Sequence, residues 1–216
     1  MSRPRIAVSQ RCDAVAGRDE VRDALDGRLA GLLWELGFLP LPLASGVAAP
    51  ADYLAALAPD GILLSGGNDI GSAPARDALE RAALDHAAAR GLPVLGLCRG
   101  MQFINHYQGG GLRTVPGHTA ARHRIHGPLV GEYGREVNSY HDYGLLEADL
   151  GDAFEAVAWA DDGVVEALRH RERPWLGIMW HPERDTPVAP ADRLLVITHL
   201  NRLSVILDRG IARKRP

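Results

Sequence analysis

An α/β fold, with a mainly parallel central sheet and added antiparallel strands, is predicted by three features of the 216-residue sequence. In the first half, short continuous apolar runs alternate with longer amphipathic stretches. That is the pattern of parallel strands buried on both faces by crossover helices. Proline or glycine marks the helix boundaries. In the second half the apolar runs are joined by short polar turns, as in antiparallel strands.

The elements follow in order. Arg5-Ile6-Ala7-Val8 reads as the first strand. Apolar positions at Val21, Leu25, Leu29, Leu32, Leu33 and Leu36 have helical spacing, and Gly37 supplies a C-cap signal. The Phe38–Leu43 run carries two prolines, which confine it to a sheet edge. A short helix is expected over Ala51–Leu57 and a buried strand over Gly61–Ser65. A helix with proline in its first turn follows over Pro74–Arg90, then a buried strand over Pro93–Leu97 and a helix over Arg99–Tyr107. Strands are predicted at Leu129–Val137, Ala153–Trp159, Val164–Arg169 and Trp175–Trp180. A closing helix is expected over Ala191–Leu207. No linker or repeat interrupts the pattern, so residues 1–216 are read as one domain.

Composition narrows the class. The chain is 46% hydrophobic and 24% charged, an ordinary globular balance. A chain of this length buries roughly 70% of its unfolded surface, so it needs no staple to fold. A net charge of −3 argues against a general nucleic-acid binder. The basic tail Arg213-Lys214-Arg215 reads as a solvated end. No apolar run reaches the ~18–20 residues of a membrane span, and the N-terminal stretch lacks the features of a secretory signal. Two cysteines, Cys12 and Cys98, are too few for a disulfide framework. A cytoplasmic location with reduced thiols is therefore expected.

The chemistry concentrates in Leu95-Gly96-Leu97-Cys98-Arg99-Gly100-Met101-Gln102. A buried strand runs into Cys98 and a helix begins directly after it, with glycines two residues to either side. Such an elbow holds its central residue strained and lets strand and helix approach closely. A thiol there sits at a helix N-terminus, which favours thiolate. The matching base is His181, at the end of an apolar strand, with Glu183 two residues on to orient it. Ser65-Gly66-Gly67-Asn68-Asp69 follows another buried strand. Its glycines would let backbone N–H groups reach a substrate oxyanion, with the Arg99 N–H as second donor. His118, His123 and His126 lie close in sequence with no cysteine nearby, in what reads as a loop. No metal site is expected there. Arg122 and Arg124 could receive a phosphate.

These segments, in this order, resemble the class I glutamine amidotransferase family. Gly96, Cys98, Gly100 and Gln102 match its elbow, and His181-Pro182-Glu183 matches its downstream motif. The resemblance covers nearly the whole chain and implies a flavodoxin-like three-layer fold. Ser65-Gly66-Gly67-Asn68-Asp69 and Val137-Asn138-Ser139-Tyr140-His141 point to the γ-glutamyl hydrolase branch, similar to γ-glutamyl-γ-aminobutyrate hydrolases. That branch usually has Pro where Ser65 stands, and Gln where Asp142-Tyr143-Gly144 follows. These departures leave the leaving-group side of the substrate open. The same loops, with Met179-Trp180-His181-Pro182-Glu183-Arg184, look similar to γ-glutamyl-CDP-amidate hydrolases of capsule phosphoramidate synthesis.

The resemblance implies a catalytic Cys98, His181 and Glu183, with an oxyanion hole from Gly67 and Arg99. It implies a glutamyl pocket from Asn68, Gln102, Ser139, Tyr140 and His141. The implied reaction cleaves a γ-glutamyl amide through a thioester, with no cofactor and a small-molecule γ-glutamyl substrate. Two other readings stand beside it: a glutaminase subunit feeding ammonia to a separate synthase, and a non-catalytic binding protein on the same fold. A homodimer is compatible with the sequence.

Overall fold

The computed structural model describes residues 2–201. The strands are β1 (Arg5–Val8), β2 (Arg11–Ala14), β3 (Val21–Ala24), β4 (Leu39–Pro42), β5 (Gly61–Leu64), β6 (Val94–Leu97), β7 (Arg113–Thr114), β8 (Ala121–Gly127), β9 (Gly131–Ser139), β10 (Tyr143–Gly144), β11 (Phe154–Ala160), β12 (Val165–His170) and β13 (Trp175–Ile178). The helices are α1 (Gly27–Glu35), α2 (Pro50–Leu57), α3 (Pro74–Arg90), α4 (Arg99–Tyr107) and α5 (Pro190–Leu200).

Nine strands form one sheet in the order β4-β1-β5-β6-β13-β12-β11-β8-β9. From β4 to β13 the pairings are parallel, and from β13 to β9 they are antiparallel. The proline-bearing strand β4 lies at the edge, where a missing N–H costs no ladder bond. Side chains alternate across the parallel strands. Ala7, Ile62, Leu64 and Val94 pack with Leu79, Ala83, Met101 and Ile104 of α3 and α4 on one face. Ile6, Val8, Leu63 and Leu95 pack with Leu29 and Leu33 of α1 and Val196 of α5 on the other. Both faces are thus covered, which is why these strands read as continuous apolar runs.

Three expectations change. Val21–Ala24 is not the start of α1 but a strand paired with β2. Val21 is exposed, and the Asp23 carboxylate accepts from Ser45 N (2.9 Å) and Ser45 Oγ (2.6 Å). Asp26 then caps the true helix start by accepting from Arg28 N at 2.9 Å. The apolar positions before Asp26 match the helical period by chance. Second, His123 and His126 lie on β8 and not in a loop, because residues 121–127 pair antiparallel with β9. Third, the strand expected from Leu129 starts at Gly131. The end of the expected closing helix, through Leu207, and the basic tail lie outside the described residues.

Candidate active site

Cys98 is the single residue between the end of β6 and the start of α4, with φ 52° and ψ −109°. A side chain is strained in that conformation. The segment is pinned by Cys98 N–H donating to Ile178 O at 2.8 Å and by Gln102 N–H donating to Cys98 O at 3.1 Å. The flanking glycines set how close the helix comes. A Cβ on Gly96 would lie 2.6 Å from the Gly100 carbonyl carbon, and one on Gly177 would lie 2.7 Å from Met101 Cγ. Helix α4 therefore settles directly onto β6 and β13.

His181 follows the end of β13 and is buried. Its Nδ1 lies 2.7 Å from Glu183 Oε1. A carboxylate only accepts, so Nδ1 carries the hydrogen and Nε2 is left free for chemistry. A Cβ on Gly66 would lie 2.8 Å from His181 Cε1, 3.5 Å from its Nε2 and 3.7 Å from Cys98 Cβ. The glycine loop, the imidazole and the cysteine thus meet at one point. Burial alone would lower the His181 pKa, but the neighbouring Cys98 and Glu183 overcome it and raise the imidazole to about 9. Asn138 grips the backbone of His181 from both sides. It accepts from His181 N at 2.9 Å and donates to His181 O at 2.8 Å.

The glycine loop after β5 is held from beneath. Gly67 has φ +83°, a conformation that glycine adopts without steric cost. The buried Arg76 donates to Ser65 O (2.6 Å), Gly66 O (3.1 Å), Gly67 O (2.6 Å) and Asn68 Oδ1 (3.2 Å). Arg76 Nε also pairs with Glu80 Oε1 at 2.8 Å. The other Glu80 oxygen pairs with Arg99, which also reaches Asp77. One buried carboxylate therefore ties the Gly67 loop to the first residue of α4. Sequence reasoning misses Arg76 and Glu80. Their signal is an i, i+4 charged pair among the mostly apolar buried positions of α3.

The residues expected to line a pocket are divided. The Asn68 amide clamps the Cys12 backbone, accepting from N at 2.8 Å and donating to O at 3.0 Å. Gln102 donates to Tyr143 O at 2.7 Å. Ser139 donates to His118 O. Tyr140 is part-exposed, and its ring stands edge-on to His181 with centroids 5.9 Å apart. The Arg184 guanidinium lies 4.5 Å over that ring.

His141 belongs to a second cluster. Its Nε2, His118 Nδ1 and His123 Nε2 lie 3.4, 3.4 and 3.3 Å from Glu166 Oε1. His126 is not part of this group; it stacks on Trp159 with centroids 6.1 Å apart. Arg122 is engaged by Asp185 at 2.9 Å, and Arg124 by Tyr133 O at 2.5 Å. Cys12 is a free, partly buried thiol, with its sulfur 3.3 Å from Ser45 Oγ. Among the described residues no helix is long and apolar enough to cross a membrane.

The chain is similar in sequence and fold to known proteins. A model of the Peptidase C26 family matches residues 34–183. A candidate glutamine amidotransferase from Schizosaccharomyces pombe is 28% identical over 177 residues, which span 66% of this chain and 69% of that protein. The gamma-glutamyl-CDP-amidate hydrolase of Campylobacter jejuni is 29% identical over 192 residues, spanning 83% of this chain and 90% of that protein. The crystal structure of a candidate GMP synthase subunit from Thermoplasma acidophilum superposes with a TM-score of 0.73 and 19% identity. It covers 96% of this chain and 99% of that one. At that identity the likeness speaks to the fold alone.

Proposed function

Because the chain belongs to the Peptidase C26 family, among glutamine amidotransferase-like hydrolases, we propose that it cleaves a γ-glutamyl amide bond through a Cys98 thioester. The observation that carries this reading is the meeting of Cys98, strained at the N-terminus of α4, with a buried His181 held by Glu183. Proton transfer from the thiol to His181 yields a thiolate, the nucleophilic form. Cys98 Sγ attacks the γ-carbonyl carbon, and the oxyanion is held by the Gly67 and Arg99 backbone N–H groups. Collapse breaks the C–N bond while His181 returns its proton to the leaving amine. Water, deprotonated by His181, then attacks the thioester; free glutamate departs and the thiol is restored. Glu183 stabilises the imidazolium in both halves.

Ser139 and His141, expected from the sequence to line the glutamyl side, are instead buried and engaged within the His118 and Glu166 cluster. Asn68, Gln102 and Tyr140 are proposed as walls of the glutamyl side. Of these, Tyr140 stands edge-on to His181 and is open to solvent. For the leaving group we propose a CDP-amidate, supported by the extent of the Campylobacter jejuni alignment, which spans 83% of this chain.

The test is glutamate release by the purified chain from γ-glutamyl-CDP-amidate, from simple γ-glutamyl amides and from glutamine. Turnover without any partner, lost in Cys98→Ala, is expected. A glutamine-like electrophile should form a covalent adduct on Cys98. Equal or slower turnover of the nucleotide substrate would reject the CDP-amidate assignment. Ammonia release from glutamine only when a synthase is added would favour a glutaminase subunit. Full activity in Cys98→Ala, with no adduct, would overturn the thioester mechanism.

A further inference from the structure

We propose that His118 Nδ1, His141 Nε2 and Glu166, with His123 Nε2 facing the same carboxylate, form a binding site for a zinc-type divalent cation. The ligand atoms of His118, His141 and Glu166 lie within 4.8 Å of one another, and all three residues are buried. The three imidazole nitrogens lie 3.3–3.4 Å from one Glu166 oxygen. The edge of a zinc tetrahedron built from ordinary Zn–N and Zn–O bonds is about 3.3 Å.

Proton placement argues in the same direction. His141 Nδ1 lies 3.0 Å from the Tyr143 carbonyl, which can only accept, so that nitrogen carries a hydrogen. His118 Nε2 lies 2.9 Å from an Asp162 carboxylate oxygen and carries one too. In the neutral imidazoles, the nitrogens left over are lone pairs aimed at a carboxylate. None of these three ring nitrogens, and neither Glu166 oxygen, has a hydrogen bond of acceptable geometry. Lone pairs converging on a carboxylate repel unless a cation sits among them. The bonds to Asp162 and to the Tyr143 carbonyl are the outer supports that fix the tautomer and aim of metal-bound histidines. A dication is balanced by the Glu166 and Asp162 carboxylates.

The cation would staple the end of β9 and the loop before β8 to β12. Glu166 O accepts from Met179 N at 2.8 Å, two residues before His181. His141 is adjacent to Tyr140, which touches His181. The site stands whether or not the thioester reading holds.

The experiment strips the full chain with a chelator, in wild-type and Cys98→Ala forms, and titrates it with Zn²⁺ against a chromophoric chelator. Cys98→Ala removes the thiol beside His181 as a competing ligand. One equivalent per chain with submicromolar affinity is expected in both forms, with a Tm rise of about 5–10 °C at saturating metal. His118→Gln/His141→Gln should lose the stoichiometric site. Should that double variant not fold, Glu166→Gln and histidine ¹⁵N NMR on the unaltered chain serve instead. Bound His118 and His141 should stop titrating and show metal at Nδ1 and Nε2, respectively. No uptake at 10 µM free zinc, on the order of a weak site, equal uptake by the variants, or rings that still titrate with zinc present would overturn the proposal.

Discussion

Glu183→Gln keeps the shape of a side chain and removes its charge. His181 Nδ1 then loses a charge-assisted hydrogen bond of 2.7 Å. The imidazole is raised from 6.5 to about 9. At about 1.4 kcal/mol per tenfold, that rise is worth about 3 kcal/mol. Cys98 and Glu183 together supply it against the burial penalty. Hydrogen bonds to charged groups contribute about 1.5–3 kcal/mol, so kcat/KM should fall about 10- to 100-fold.

The pH dependence of that variant has a defined sign. His181 must be cationic to protonate the leaving amine, and Glu183 stabilises the cation. The alkaline limb of the rate profile should therefore move down by about one pH unit or more. A raised folded value gives stability that is full below about pH 6.5 and lost as pH climbs through about 9. The stability deficit of the variant should accordingly be largest below about pH 6.5, still large at pH 7, and vanish above about pH 9.5. Glutamate release across pH 6–10, with urea unfolding at pH 7 and pH 9.5, measures both. Wild-type kcat/KM with an unmoved alkaline limb would refute the role given to Glu183.

Gly66→Ala places a methyl group 2.8 Å from His181 Cε1; overpacking of this kind costs about 1–3 kcal/mol. Steady-state kinetics should show a loss in kcat well beyond what the drop in Tm explains. Asn138→Ala strands the His181 N–H and removes the donor to its carbonyl. A loss of about 1–3 kcal/mol in urea unfolding is expected. Glu80→Gln weakens the tie between the Arg76-held glycine loop and Arg99. Leaving the buried Arg76 guanidinium against a neutral amide, while Arg99 keeps only Asp77, should cost about 3–5 kcal/mol. Equilibrium unfolding with no change from wild type would show that Glu80 is dispensable.

Much of this protein is legible before it folds. The elbow at Cys98 is legible because an abrupt strand–turn–helix junction needs small residues on either side, and Gly96 and Gly100 advertise it locally. The edge position of β4 is legible in Pro40 and Pro42, because a missing N–H is a local property. His181 with Glu183 is visible for the same reason: two residues of separation put base and partner in reach without any knowledge of the rest of the chain.

What the tertiary structure decided lies between segments far apart in sequence. The helical spacing at Val21 could not reveal that Asp23 would be claimed by Ser45, which makes that stretch a strand. The helical pattern of Pro74–Arg90 does not reveal that the packing of α3 buries Arg76 and Glu80 beneath the glycine loop. Proximity along the chain groups His118, His123 and His126. Antiparallel pairing of β8 with β9, and of β11 with β12, discards His126 and brings in His141 and Glu166. Local signals follow from the geometry of one or two turns of chain. The partners of a buried charge are chosen by register across a sheet, and only the folded chain sets that register.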